Sequence, residues 1–97
     1  MRHAARIDLG RIVIADGQPH RSALVRLRAD LTADLAALVA DGAEHLHRWP
    51  GGGISWVRVG CGGTVVVHTW PEHGIATIDV YGQAALEACR AILAEAA

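Results

Sequence analysis

Residues 54–81, ISWVRVGCGGTVVVHTWPEHGIATIDVY, form a contiguous stretch whose pattern predicts strands separated by turns. Side chains alternate along residues 54–59, 64–70 and 75–81 with the period of two that is typical of β-strands. The glycine-rich residues 60–63 predict a tight hairpin connection, and residues 71–74 predict a second turn. The stretch therefore predicts three consecutive antiparallel strands.

The flanking sequence predicts the remaining elements. Residues 7–15 read as a strand that ends at Asp16-Gly17, and residues 44–49 read as another strand. Pro19 opens a predicted helix, and Gly42 is its expected C-cap. The apolar stripe of this helix has steps of three and four residues and consists of Leu24, Leu27, Leu31, Leu35 and Leu38.

A second helix is predicted over residues 83–96, where one stripe carries Leu86, Cys89, Leu93 and Ala96. The predicted order is therefore β-α-β-β-β-β-α. An antiparallel sheet with two helices packed on one face, an α+β sandwich, is the architecture that this order favours.

Composition indicates one globular domain of 97 residues with 52% apolar side chains. The core is expected to be thin, because much of the apolar fraction is alanine and phenylalanine is absent, so we expect a homodimer. Nine arginines are scattered, lysine is absent and the net charge is −1, which argues against a nucleic-acid partner. No membrane span or signal peptide is recognisable, so we expect a cytoplasmic protein with Cys61 and Cys89 as reduced thiols.

One face of the predicted sheet collects side chains that can carry chemistry. These candidates are His47, Trp49, Ser55, His68, Trp70 and Glu72. Two indoles and two imidazoles on an open face form a platform for a small-molecule ligand, and a histidine there can transfer protons. The alternative is structural, since a strand histidine is commonly a half-exposed side chain and a strand tryptophan is commonly a packing residue.

Two other chemistries are open at this stage. His45 and His47 share a strand face, and His68 and Cys61 could join them around zinc, but no CxxC or HExxH spacing is present, so we predict no metal. Cys61, which lies among glycines, could be a nucleophile activated by His68, or a turn residue without function. Cys89, on an alanine-rich helix, is predicted to be a packing residue.

The run His68-Thr69-Trp70-Pro71-Glu72 resembles a signature of the small prokaryotic S-adenosylmethionine decarboxylases. The resemblance continues downstream through Gly74, Ala76, Ile78 and Asp79, and upstream it includes His47, Arg48, Trp49, Gly53, Ser55, Val57 and Val59. It implies the α+β sandwich of that family. Members cleave themselves before a serine, which becomes a pyruvoyl group that acts as the electron sink for decarboxylation.

The resemblance also assigns roles to residues of this chain. His68 matches the histidine that assists processing, and Ser55 matches the assisting serine. Trp49 and Trp70 match aromatic positions near the substrate, and Glu72 matches an acidic position there.

Two departures from the family pattern bear on the cofactor. Gly62-Gly63-Thr64 stands where the family has Glu-Ser-His at the cleavage point, and Gln83 stands at the proton-donor cysteine. Pyruvoyl formation needs an acyl shift onto a side-chain oxygen or sulfur and then its β-elimination, and glycine has neither atom. We therefore expect no pyruvoyl cofactor, unless Thr64 or Cys61 replaces the missing serine out of register.

Three functions follow from this comparison. The first is a repurposed, cofactor-independent enzyme in which His68 acts as general acid/base, assisted by Ser55, Glu72 and Cys61. In that enzyme Trp49, Trp70 and His47 bind the substrate. The second is a non-catalytic ligand-binding or regulatory partner subunit related to S-adenosylmethionine or polyamines. The third is an active decarboxylase that processes itself at Cys61.

Overall fold

A computed structural model of the protein describes residues 5–8, 11–14, 19–39, 42–60 and 62–95. The strands are β1 (Ala5–Asp8), β2 (Arg11–Ile14), β3 (His20–Arg26), β4 (Ala43–Arg48), β5 (Ile54–Gly60), β6 (Gly63–Trp70) and β7 (Ile75–Tyr81). The helices are α1 (Leu31–Leu38), α2 (Gln83–Ala88) and α3 (Arg90–Leu93), and a 3₁₀ turn spans Pro71–His73. No helix in these described ranges has the length and apolarity to cross a bilayer.

Five strands form one antiparallel sheet in the order β3-β7-β6-β5-β4. Strands β4 to β7 are sequential hairpins, which gives each the neighbour that follows it in the chain. The β5–β6 ladder closes at the pair Gly60 and Gly63, and the β6–β7 ladder begins at Trp70 and Ile75. The predicted order β-α-β-β-β-β-α is confirmed for this sheet and its helices, with β3 as the first strand.

The core lies between one face of the sheet and the helices. Alternate residues of the central strands point into it, including Val65, Val67, Ile78 and Val80 at 0% exposure, as the period-two pattern requires. Helix α1 contributes Leu31 and Leu35, while the C-terminal helical segment contributes Cys89, Ile92 and Leu93. Both helical layers therefore cover the same face, which confirms the predicted α+β sandwich and leaves the other face for a site.

The helix predicted from Pro19 is wrong over its first half. Residues 20–26 form β3 and pair with β7 along its whole length, and helix α1 begins only at Leu31. In the strand, Val25 is buried in the core whereas Leu24 is 41% exposed on the opposite face. The spacing of Leu24, Leu27 and Leu31 therefore does not mark one helical face. Residues 20–26 pair with a distant strand, and a local sequence pattern cannot reveal that pairing. The pairing overrides the helical spacing of the leucines.

The predicted strand over residues 7–15 is also corrected. The chain instead forms two short strands, β1 and β2, which pair with each other in a separate two-stranded sheet. The main sheet takes its first strand from β3. The predicted turn at Asp16-Gly17 and the strand end at Ala15 lie outside the described residues.

Both predicted helix ends need correction. Helix α1 ends at Leu38, and the Val39 N–H bonds to the Leu35 carbonyl, so Gly42 is not its cap. Gly42 instead passes the Val59 carbonyl so closely that a Cβ would lie 2.3 Å from its oxygen. The predicted helix over residues 83–96 is two short helices that break at Cys89, and Ala96 lies outside the described residues.

Arg28 joins the start of α1 to the end of the chain's last helix. Its guanidinium lies 2.7 Å from carboxylate oxygens of both Asp30 and Asp34 and 3.6 Å from Glu95. The hydrogen bond from Arg28 lowers the pKa of Asp30 below its ordinary value. These ion pairs form a surface charge cluster that holds the loop before α1 in place.

Candidate acid–base and ligand site

Strand register places three candidate side chains in one row on the face away from the helices. His47 on β4 pairs with Ser55 on β5, and Ser55 pairs with His68 on β6. The hairpin connections fix this register, so the row follows directly from the antiparallel order that the sequence predicts.

Hydrogen bonds connect this row. Ser55 Oγ lies 2.7 Å from His68 Nδ1, and the Trp49 indole N–H donates to Ser55 Oγ at 2.8 Å. The His47 ring packs against Trp49 in an edge-on contact with centroids 4.3 Å apart and planes inclined by 70°. His68 therefore sits at the end of a connected set of side chains.

A tight turn positions Trp49. Its backbone N–H bonds to the Gly53 carbonyl at 2.8 Å, and its carbonyl accepts from the Gly52 N–H at 3.2 Å. Gly51 and Gly52 have φ values of 95° and 96°, which favour glycine. This local geometry forms a turn over residues 50–53 and holds the indole over the open sheet face.

A cavity of about 500 Å³ opens between this turn and the end of β6. One wall carries Trp49, and the other carries Trp70 and Glu72. Glu72 lies in the 3₁₀ turn that precedes β7. Ser55 and His68 line the cavity between them. The two indoles are 54% and 44% exposed. Volume and lining suit a small molecule held by aromatic faces, with one carboxylate and one imidazole in reach.

The structure brings most of the predicted site residues together. Trp49, Ser55, His68, Trp70 and Glu72 line one cavity, and His47 contacts it through Trp49. Cys61 lies outside the described residues.

The glycine hairpin lies at the far end of β6 from this cavity. His68 lies five residue steps along the extended strand from Gly63, a span of roughly 17 Å. Gly63 has a φ of 148°, and a Cβ there would lie 2.1 Å from the Tyr81 carbonyl oxygen and 2.5 Å from the Ala85 side chain. The Gly62 carbonyl accepts the Ala85 N–H at 3.0 Å, so the hairpin is packed tightly onto the start of α2.

The residue at the family's proton-donor position is engaged elsewhere. Gln83, the first residue of α2, is exposed and its Nε2 donates to Glu87 Oε1 at 3.1 Å. This bond lies along the helix surface.

Metal ligands are not assembled in the part of the chain that the structure describes. No three histidine, cysteine or acidic side chains there are grouped around a common point. His68 Nδ1 is already engaged by Ser55.

A second polar cluster lies on β3 and β7 and is not among the residues that the sequence predicts. His20 Nε2 lies 3.1 Å from Asp79 Oδ1 and 3.1 Å from Ser22 Oγ, and the Ser22 hydroxyl also donates to Asp79. His20 stacks on Tyr81 with centroids 4.2 Å apart, and burial with the nearby Asp79 charge raises the pKa of Tyr81. Ser22 and Asp79 both contact the same nitrogen of His20, whereas a catalytic triad places its serine and its aspartate on opposite imidazole nitrogens. The cluster is therefore not arranged as a triad.

The sequence does contain a signal for that cluster. His20 and Ser22 are two residues apart, as one strand face requires, but the leucine spacing predicts a helix over these residues. Asp79 enters the sequence prediction only as part of the family signature.

Comparison with known proteins points to one family. The family model described as S-adenosylmethionine decarboxylase matches residues 19–95. The S-adenosylmethionine decarboxylase proenzyme of Pyrobaculum aerophilum is 53% identical over 32 residues, which is 33% of this chain and 26% of that protein. The proenzyme of Aquifex aeolicus is 38% identical over 39 residues, which is 40% of this chain and 29% of that protein. No solved structure is a significant match.

These local matches span less than a third of each relative's own length. The family match is much longer and contains β3 to β7, α1 and the whole cavity. The chain therefore belongs to the S-adenosylmethionine decarboxylase family.

Proposed function

We propose that this chain is a cofactor-independent enzyme of the S-adenosylmethionine decarboxylase family. His68 carries out acid/base chemistry on a small metabolite bound between Trp49 and Trp70. The observation that carries the proposal is the Ser55–His68 hydrogen bond of 2.7 Å at the wall of a cavity of about 500 Å³. An oriented imidazole beside a ligand-sized space is a common arrangement for proton transfer.

The hairpin at the family's cleavage point supports the absence of a pyruvoyl group. That group would arise from residue 63, and Gly63 has no side-chain oxygen or sulfur to accept the acyl shift. The local packing leaves no space for a Cβ beside the Tyr81 carbonyl and Ala85. Gly63 therefore does not fit the cofactor that the family implies.

The cavity supports proton transfer as the reaction class. Isomerisation, cyclisation and elimination need an acid and a base but no electron sink. His68 and the carboxylate of Glu72 line the same space and supply one group of each kind. Trp49 and Trp70 present aromatic faces that suit a planar or cationic ligand.

The test begins with intact-mass spectrometry of the purified chain, where we expect one peak at the full mass. A panel of small metabolites is then screened by calorimetry, and each binder is assayed for conversion by the wild type, His68→Gln and His45→Gln. His45 is a matched control because it is exposed on the same sheet face but does not line the cavity. Loss of turnover in His68→Gln alone supports the proposal, whereas unchanged turnover rejects it.

A second candidate is a non-catalytic binding module or regulatory partner subunit. It is favoured by the exposure of Trp49 and Trp70, which resembles an open recognition surface more than a closed reaction chamber. Under this hypothesis S-adenosylmethionine or a polyamine binds to the wild type, and no ligand is converted.

The remaining alternative is self-processing at Cys61. It requires two fragments in the mass spectrum, and their disappearance in Cys61→Ala.

We further propose that the protein is a cytoplasmic homodimer. The face away from the helices supports dimer formation, since it carries Leu24 at 41% exposure as well as the exposed cavity indoles. Light scattering after size-exclusion chromatography gives the mass directly, and a monomer at micromolar concentration contradicts this part of the proposal.

A further inference from the structure

Trp49 has a second contact that ligand binding does not explain. Its indole N–H does not point to open solvent but donates to Ser55 Oγ at 2.8 Å. The indole nitrogen can only donate. One lone pair of the Ser55 oxygen is therefore occupied by Trp49 in every protonation state of the site.

This donor restricts what the Ser55 hydroxyl does with its own proton. Among the described residues, the acceptor within hydrogen-bond distance of Ser55 Oγ is His68 Nδ1, at 2.7 Å. Donation to that nitrogen satisfies the hydroxyl proton. The opposite arrangement, with His68 Nδ1–H donating, gives the oxygen two incoming donors and leaves the hydroxyl proton without an acceptor in this set.

The ring nitrogens of His68 then have different roles. When Ser55 donates to Nδ1, the proton of the neutral imidazole must sit on Nε2. His68 lines the cavity, and Nε2 makes no hydrogen bond to another described residue. A ligand therefore meets an N–H donor at this position.

We propose that Trp49 is a positioning residue that acts through Ser55 to hold neutral His68 in the tautomer with its proton on Nε2. His47 supports it by packing edge-on against the indole at 4.3 Å. Phenylalanine at the same position has no donor that could replace the indole N–H.

The catalytic meaning of this assignment rests on the proposed function. His68 is the donor, and Glu72 is the base that lines the same cavity. The carboxylate takes a proton from a carbon next to a carbonyl, the electron pair moves to the carbonyl oxygen, and Nε2–H stabilises that oxygen by donating to it. Protons and electrons balance without a co-reactant. The fitting substrate class is a small carbonyl or carboxylate compound with an acidic C–H bond.

The test reads the tautomer directly and needs no ligand. Long-range ¹H–¹⁵N correlation spectra of the ¹⁵N-labelled full chain, recorded where the histidines are neutral, distinguish the two forms of His68. We expect the Nε2–H form in the wild type. Trp49→Phe should change the tautomer ratio roughly two- to tenfold toward Nδ1–H, the effect of about one net hydrogen bond.

The matched control is Trp70→Phe, which removes the other cavity indole but no bond to Ser55. It should keep the wild-type ratio, and Ser55→Thr, which retains a hydroxyl, should stay near that ratio while Ser55→Ala does not. If Trp49→Phe does not fold, the tautomer of the wild type and the ratios in Ser55→Thr and Ser55→Ala still test whether Ser55 holds His68 in the Nε2–H form.

A wild type in the Nδ1–H form, or equal ratios in Trp49→Phe and Trp70→Phe, overturns the assignment. The expected tautomers with normal turnover in His68→Gln would reject the enzyme proposal alone, so the two failures are distinguishable.

Discussion

Replacing Gly63 by serine puts back the side chain that self-cleavage in this family requires, and we expect lost stability without cleavage. The backbone at this position has a φ of 148°, a conformation that L-residues adopt at a cost of about 1 to 3 kcal/mol. The new Cβ would also lie 2.1 Å from the Tyr81 carbonyl oxygen, so backbone must move by nearly 1 Å to reach an acceptable contact.

That movement is expensive because Tyr81 is held in the β-ladders of both β3 and β6. Overpacking of this kind costs about 1 to 3 kcal/mol. The free energy of unfolding should therefore fall by about 2 to 6 kcal/mol in Gly63→Ser. Gly52→Ser is the matched control, since its φ is 96° but nothing lies within 4 Å of an added Cβ. Its free energy of unfolding should fall only by the cost of the positive φ.

Urea unfolding followed by far-ultraviolet circular dichroism measures both losses, and intact-mass spectrometry detects cleavage between residues 62 and 63. Equal losses in Gly63→Ser and Gly52→Ser would refute the packing argument. Two fragments in Gly63→Ser would refute the conclusion that the hairpin is closed to processing.

Three further predictions concern stability and reactivity. Leu35→Ala should lower the free energy of unfolding by about 2 to 5 kcal/mol because the side chain is fully buried, whereas Leu38→Ala, on the same helix but 42% exposed, should cost much less in the same urea titration. Burial raises the pKa of the Cys89 thiol, so at neutral pH its alkylation by iodoacetamide should follow unfolding, and rapid labelling of the Cys89 peptide in the folded chain would contradict this. The hydrogen bond from Arg28 lowers the pKa of Asp30 in the folded chain. The ionised Asp30 therefore stabilises the folded state at neutral pH, and this contribution disappears as the pH falls below the ordinary pKa of 3.8. Arg28→Gln should flatten this part of the curve of Tm against pH, and an unchanged curve would count against the cluster.

Much of the fold was predictable where strands follow each other as hairpins. The turns at residues 60–63 and 71–74 fix the pairing of β5, β6 and β7, so local signals suffice there. The error at residues 19–26 has a different origin. Strand β3 pairs with β7, roughly fifty to sixty residues later in the chain, and Leu24 happens to continue the helical spacing of the leucines that follow it. Only the distant partner decides between the two structures.

The candidate site was predictable for the same reason. Ser55 and His68 lie on strands joined by one hairpin, so their contact follows from register. The bond from Trp49 to Ser55 was not predictable, because it depends on how the turn at residues 50–53 directs the indole. The cluster around His20 was lost together with β3.

The placement of the three tryptophans gives the protein its own optical reporters. Trp56 is 3% exposed in the core, while Trp49 and Trp70 stand at the mouth of the cavity. Acrylamide or iodide should therefore quench the fluorescence of the two cavity indoles and spare the core indole. A molecule seated between those two rings shields them from the quencher, whereas unfolding exposes all three. Ligand discovery can thus proceed on the unlabelled chain, with binding and denaturation producing opposite changes in one measurement.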